Sequence, residues 1–237
     1  DWPLDGWASD DWVVNNYFDH SAGRRPLDYT GEHLTYAGHK GIDISLRSMR
    51  WIDWGVDVLA AADGVVIATD DGHFDRHTEW DFEAKPNFVT IRHDENGYVT
   101  KYFHLKEGSV AVAVGDRVSA GEVLGQAASS GVTDGPHLHF QVEELGTPVD
   151  PFAPWLFSHC EAPSYARPFA TNEVSLQLGP IDGVDVIDPP LHDLRSYRVG
   201  DTVGIGVVTS GGDGTVQIET RLIAPSGRRA YLARRTP

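Results

Sequence analysis

The chain has 237 residues, 41% of them hydrophobic and 10% aromatic, which is enough for a substantial hydrophobic core. Its 35 acidic residues outnumber its 19 basic residues, and the resulting net charge of -16 makes nucleic acid a poor binding partner. No apolar run approaches the roughly 20 residues needed to cross a bilayer, so we expect no membrane span. The single cysteine, Cys160, cannot form an intramolecular disulfide. Because the chain starts at Asp1 without a signal-type segment, we expect a mature or trimmed product.

Residues 1–34 mix tryptophan and aspartate without a regular period. This predicts an irregular segment held against a domain by its aromatic side chains, with an aromatic substrate wall as the alternative. His39 and Asp43 follow, in a stretch that also contains Gly38 and Gly41. The glycines and β-branched neighbours favour a loop that leads into a strand rather than a helix. In such a loop, His39 and Asp43 can still converge on one metal ion.

Residues 55–142 form many short apolar and alternating runs that are cut by glycine turns, which predicts an all-β domain. The first turn, at Asp63-Gly64, is predicted to join two short strands. A long polar loop after them carries His73 and His77. These histidines could extend a metal site, although surface or loop-packing roles are the simpler interpretation.

A hairpin is predicted over residues 87–105, where two alternating runs are joined by a glycine turn. Alternation places Tyr102 and His104 together on one face of the second strand. Phe103 and Leu105 then fall on the opposite, apolar face, which makes His104 a candidate for a cleft.

His137 and His139 stand one residue apart in a short apolar stretch after a turn. Side chains two apart on a strand project from one face about 7 Å from each other, so both imidazoles would look into one cleft. Leu138 and Phe140 would then face a core. The pair suggests a metal or proton-transfer site, but a half-buried strand whose histidines only find hydrogen-bond partners would show the same pattern.

The predicted organisation has four parts, of which the N-terminal segment 1–34 and an all-β domain over 35–157 are the first two. Prolines recur from Pro148 to Pro168, which indicates a domain end followed by a linker, predicted over 158–170. Residues 171–237 return to strand patterning and predict a small β-sandwich-like module with few strands for a complete sandwich.

Five side chains are the candidates for the expected cleft: His39, Asp43, His104, His137 and His139. Three nitrogen or oxygen ligands with a water are typical of a catalytic zinc site, and imidazole with one carboxylate suits that ion. Spacing alone does not indicate which of the five would bind the metal.

Seven motifs occur in order between about residues 35 and 155. They are Gly38 to Ile44, Val58 to Val65, Asn87 to Ile91, Tyr102 to Leu105, Val114 to Gly125, Gly135 to Phe140 and Pro148 to Pro151. Together they resemble the motifs of the lysostaphin/LytM-type zinc metallopeptidases. The resemblance implies a β-rich catalytic domain with a narrow groove and one zinc ion per chain.

The resemblance also implies roles for the candidate residues. His39, Asp43 and His139 would be the zinc ligands, and His104 and His137 the unligated catalytic pair. Which of His104 and His137 acts as the principal base stays open.

The function implied by the resemblance is zinc-dependent hydrolysis of peptide bonds in peptidoglycan cross-links or stem peptides, in a secreted or periplasmic bacterial protein. A secreted endopeptidase that acts on glycine-rich or elastin-like protein is the alternative. A binding or regulatory module of the same fold without turnover is a third interpretation, which the presence of all five residues disfavours. Nothing in the sequence indicates the oligomeric state.

Overall fold

The computed structural model describes residues 1–6, 11–23, 25–93 and 97–152, together with the backbone of four strands closer to the C-terminus. The described part is nearly all β, as predicted, and its only helix is the five-residue α1, Arg50–Trp54. No helix among these residues has the length and apolar character that crossing a membrane would require.

The strands before residue 153 build one large and one small sheet. In chain order they are β1 (Trp12–Asn16), β2 (Ile42–Leu46), β3 (Asp57–Leu59), β4 (Gly64–Asp70), β5 (Phe88–Arg92), β6 (Tyr98–Phe103), β7 (Arg117–Val118), β8 (Val123–Gln126), β9 (His137–Glu144) and β10 (Thr147–Val149). The large sheet has eight strands in the order β1-β2-β9-β6-β5-β4-β7, with β10 paired to β9. Strands β3 and β8 pair separately and antiparallel.

The centre of the large sheet carries the main core on one face. Leu138 and Phe140 of β9 are buried there, as the alternation predicted, and so are Ile42 and Ile44 of the neighbouring β2. Since alternate side chains of a strand point to opposite faces, the polar residues between these apolar ones share the other face. The central strands therefore carry both the core and the polar site.

The N-terminal segment differs from the expected irregular chain because Trp12–Asn16 joins the large sheet as its edge strand β1. The run of Trp12, Val13 and Val14 is buried and has high strand propensity, which explains the pairing with β2. Aromatic side chains do hold the segment in place, since the rings of Trp2 and Tyr17 lie 6.2 and 5.2 Å from the ring of Phe152.

The two turns predicted from the sequence have different outcomes in the structure. The hairpin over 87–105 is confirmed, because β5 and β6 pair antiparallel with Phe88 opposite Phe103. The turn at Asp63-Gly64 does separate two strands, but these are not a hairpin: β3 pairs with β8, whereas β4 pairs with β5 and β7. Pairing partners distant in sequence decide this arrangement.

The C-terminal part is described only as four strands. They are β11 (Ala170–Leu178), β12 (Val203–Ser210), β13 (Ile218–Ile223) and β14 (Arg229–Arg235). β11 pairs antiparallel with β12, and β13 pairs antiparallel with β14. Strand patterning after residue 171 is thus confirmed, while the sandwich-like module and the four-part division stay predictions. Cys160 and nearly all of the expected linker lie outside the described residues.

Candidate metal centre and active site

Three donor atoms converge where the loop before β2 meets the central strand β9. Asp43 on β2 stands directly opposite His139 on β9, because the two residues are cross-strand partners. Asp43 Oδ1 lies 2.9 Å from His139 Nδ1 and 3.1 Å from His39 Nε2. The third side of the triangle, between His39 Nε2 and His139 Nδ1, measures 3.2 Å.

The triangle has the size expected for donors that share one metal ion. Two donors at about 2.0 to 2.1 Å from a tetrahedral zinc ion lie roughly 3.3 Å from each other. His39 and Asp43 are almost completely buried, so a cation held between them would be well shielded from water on that side. Among the described residues, His39, Asp43 and His139 form the only group of this kind.

The backbone sets the tautomer of His39. Its Nδ1 lies 2.7 Å from the carbonyl oxygen of Tyr17, which only accepts, so Nδ1 carries the hydrogen. In the neutral form of the ring, Nε2 therefore directs its lone pair at Asp43 Oδ1. Lone pairs on both atoms favour a cation between them, either a proton on Nε2 or a metal ion, and the donor set fits a metal.

His104 and His137 lie beside the donor triangle, with ring centroids 4.5 Å apart. Each directs Nδ1 at a backbone carbonyl: His104 at Ser130 over 2.6 Å, and His137 at Gly135 over 2.9 Å. These bonds leave Nε2 unprotonated in both neutral rings. His137 Nε2 is 3.7 Å from Asp43 Oδ1, so this nitrogen faces the triangle.

His104 reaches the site by a route that strand alternation did not predict. Tyr102 is completely buried in the core, so the expectation that it shares a face with His104 is wrong. Strand β6 ends at Phe103, whose ring lies 5.9 Å from that of His139 and thus on the site face. His104 then takes a left-handed backbone conformation, with φ at 67°, which breaks the alternation. Leu105 returns to the core, away from Phe103.

Burial and the neighbouring imidazoles shift the pKa values of two side chains, Asp43 and His104. Burial by itself would raise the pKa of Asp43, but the imidazoles of His137, His139 and His39 hold that pKa well below its usual value. Burial, reinforced by His137 and His139, lowers the pKa of His104 well below the ordinary imidazole value. Asp43 is therefore an anion and His104 a neutral base at neutral pH.

A small polar network holds the backbone around His104. The hydroxyl of Ser130 donates to the carbonyl of Leu105 at 2.7 Å and accepts the backbone N–H of Asn87 at 3.0 Å. The side-chain amide of Asn87 also donates a hydrogen bond to the Leu105 carbonyl, at 3.0 Å. Asn87 belongs to one of the seven motifs, but nothing in the sequence indicated Ser130.

Two further residues contact the triangle, and the sequence motifs did not indicate them as site residues. Asn16 of β1 donates to Asp43 Oδ2 at 3.2 Å, and the ring of Tyr36 stacks on His39 with centroids 4.3 Å apart. Burial and the nearby Asp43 raise the pKa of the Tyr36 hydroxyl. Asn16 lies far from the motifs in sequence, so only the pairing of β1 with β2 could reveal it.

His73 and His77 stay outside the triangle. His73 Nε2 lies 3.1 Å from a carboxylate oxygen of Asp70, and the ring of His77 packs edge-on against Phe74 at 4.9 Å. Both belong to the long loop between β4 and β5, which agrees with the simpler of the two interpretations.

Comparison with known proteins identifies the domain that carries this site. Residues 37–151 match the family model described as peptidase family M23. They form an M23 peptidase domain. This confirms the resemblance to lysostaphin/LytM-type metallopeptidases, and all five candidate residues lie inside the matched segment.

Several curated relatives are similar to part of this chain. Peptidoglycan DD-endopeptidase ShyA of Vibrio cholerae is 32% identical over 114 residues, which cover 48% of this chain and 22% of that protein. DD-carboxypeptidase/endopeptidase Mpg of Neisseria meningitidis is 37% identical over 121 residues, covering 49% and 23%. Glycyl-glycine endopeptidase ALE-1 of Staphylococcus capitis is 28% identical over 130 residues, covering 55% and 30%. The chain thus spans less than a third of the length of these relatives.

Solved structures similar to this chain include two peptidases. The catalytic domain of lysostaphin from Staphylococcus simulans has 24% identity and a TM-score of 0.38, covering 60% of this chain and 88% of that one. A zinc-containing peptidase from Vibrio cholerae has 25% identity and a TM-score of 0.38, covering 59% and 40%.

Proposed function

We propose that this protein is a zinc-dependent endopeptidase that hydrolyses peptide bonds in the cross-links or stem peptides of peptidoglycan. The observation that carries the proposal is the triangle of His39, Asp43 and His139 with two further imidazoles directly beside it. A site built only for structural metal binding would have no need of those additional bases. The names of the relatives ShyA and Mpg support peptidoglycan as the substrate.

His39 Nε2, Asp43 Oδ1 and His139 Nδ1 would hold the metal ion. Zinc bound by two imidazoles and one carboxylate lowers the pKa of a coordinated water to about 7 and polarises a carbonyl group. The Tyr17 carbonyl orients His39, and the buried setting of Asp43 keeps the carboxylate charge directed at the ion rather than at solvent.

His104 and His137 would move the protons of the reaction. Each has an unprotonated Nε2 in its neutral form, so either can take a proton from the attacking water and later deliver it to the departing amine. The protonated ring can also donate a hydrogen bond to the oxygen on which negative charge develops. The separation of these two rings from the three donors keeps proton transfer distinct from metal binding.

The proposal extends to substrate and location. Peptidoglycan lies outside the bacterial cytoplasm, so a secreted or periplasmic location goes with this function. Glycine-rich peptides are the second candidate substrate, because one relative is named a glycyl-glycine endopeptidase. A module without turnover is disfavoured by the complete set of five residues.

Digestion of defined substrates tests the proposal. Purified sacculi and defined muropeptides are incubated with the zinc-loaded protein, with the protein after chelation, and with the chelated protein after zinc is restored. Mass spectrometry of the products identifies the bond, and parallel digestion of oligoglycine and elastin ranks the two substrate classes. We expect new amino groups only in the zinc-containing samples. A protein that binds one zinc ion yet cuts none of these substrates would contradict the enzyme proposal.

A further inference from the structure

The carboxylate of Asp43 is held on both of its oxygens, by different partners. Oδ1 faces His39 and His139 in the donor triangle, at 3.1 and 2.9 Å. Oδ2 accepts a hydrogen bond from the side-chain amide of Asn16, at 3.2 Å. The amide is neutral, so it fixes the rotation of the carboxylate without competing for its charge.

A β-bulge in strand β1 brings Asn16 to this position. Val14 pairs with Ile44, but the next pairing joins Asn16, not Asn15, to Asp43. Asn15 is thus the additional residue of the bulge. In a regular strand without a bulge, Asn15 rather than Asn16 would stand opposite Asp43. Bulges next to active sites commonly re-aim a side chain, and directly opposed residues of an antiparallel pair lie close enough for side-chain contact.

The residue after the strand contributes a second contact to the same centre. The carbonyl of Tyr17 accepts two hydrogen bonds, one from His39 Nδ1 and one from the hydroxyl of Thr35. Two consecutive residues, Asn16 and Tyr17, therefore support two of the three donors. Both precede residue 37, where the match to the M23 family begins.

We infer that Asn16 is a positioning residue of the metal centre, which holds Asp43 Oδ2 so that Oδ1 is presented to the ion. Strand β1 is then part of the metal site, although it lies outside the segment that defines the family. The inference rests on the proposed function in one respect, namely that Asp43 is a metal ligand. Partners that orient a ligand in this way typically contribute 10- to 100-fold to metal affinity.

Zinc affinity of the full chain tests the inference independently of activity. Wild type, Asn16→Ala and the matched control Asn15→Ala are titrated with zinc in competition with a chromophoric chelator. We expect a zinc dissociation constant at least about tenfold higher for Asn16→Ala, and an unchanged constant for Asn15→Ala. Asn15 is a suitable control because it is the neighbouring residue of the same type, and its side-chain oxygen has no hydrogen-bond partner among the described residues.

A second variant and a second measurement separate positioning from a merely structural role. Asn16→Leu keeps the size of the side chain but removes the donor, so it serves if the alanine variant does not fold. Cobalt substitution gives an absorption spectrum that depends on ligand geometry, and we expect this spectrum to change in the Asn16 variants but not in Asn15→Ala. Thermal unfolding of the metal-free proteins shows how much stability each change removes.

The outcomes distinguish this inference from the proposed function. Asn16 variants that lose thermal stability but keep the wild-type zinc affinity and cobalt spectrum would overturn the positioning role and leave the proposed function intact. If the wild type binds no zinc, or if Asp43→Ala binds it as tightly as the wild type, the proposed metal site itself is wrong. Weaker zinc binding with a changed cobalt spectrum in the Asn16 variants supports the inference.

Discussion

Gly41 lies directly against the backbone of Phe140, so closely that a Cβ atom on Gly41 would overlap the Phe140 carbonyl oxygen and stand 3.0 Å from His139 Nε2. The lack of a side chain at this position lets the loop that carries His39 approach strand β9. The approach sets the distance between two of the three donors.

Replacing Gly41 by alanine should therefore damage the metal site. We expect a loss of about 1 to 3 kcal/mol in the free energy of unfolding, as for other overpacked positions, together with weaker zinc binding. Urea unfolding and chelator competition measure the two effects. Gly38→Ala is the control, since a Cβ there meets nothing within 4 Å and only its positive φ is strained. Equal zinc affinity in the two variants would count against this account.

Substitution of either unligated histidine by alanine should separate binding from turnover. His104→Ala and His137→Ala should keep their zinc and lower kcat by about 10²- to 10⁴-fold, because each removes a proton-transfer group but no donor of the triangle. Metal content by mass spectrometry and muropeptide cleavage provide the two measurements. Loss of zinc from His137→Ala would show that the division of roles is wrong.

The left-handed backbone conformation of His104 leads to a prediction about the free energy of unfolding only. Its φ of 67° is unfavourable for any residue with a Cβ atom, and glycine adopts this conformation without that strain. His104→Gly should therefore unfold with a free energy about 1 kcal/mol higher than His104→Ala, although both lose the imidazole. Denaturant unfolding of the two proteins checks this, and a more stable alanine variant would refute it.

Leu138 lies between the two histidines of β9 but points to the opposite face, where it is fully buried. Leu138→Ala should lower the free energy of unfolding by about 2 to 5 kcal/mol, because it leaves a cavity in the core. Leu145→Ala is the matched control, since Leu145 is 85% exposed and its truncation should change stability by less than about 0.5 kcal/mol. Similar costs at the two positions would contradict the assigned faces of the strand.

Zinc should stabilise the folded protein in addition to its proposed role in catalysis. A free zinc concentration 100 times the dissociation constant should add about 2.7 kcal/mol to the free energy of unfolding, because the donors come together only in the folded chain. Calorimetry with and without zinc measures the effect, and Asp43→Ala should abolish it. An equal shift of Tm in that variant would place the binding elsewhere.

The sequence by itself determined the all-β character, the hairpin of β5 and β6, and the shared face of His137 and His139, because each depends on local patterns of period two or on turn residues. It also supplied all five candidate residues, through ordered motifs.

Only the tertiary structure decided how those residues meet. Alternation placed His104 with Tyr102, yet the end of strand β6 and one left-handed residue turn His104 towards the site instead. Asn16, Tyr17 and Ser130 carry no signal of their own, because their contributions are a cross-strand contact and two backbone carbonyls. Such contacts depend on which strands pair and in which register, and pairing is settled by burial across the whole sheet rather than by neighbours in the chain.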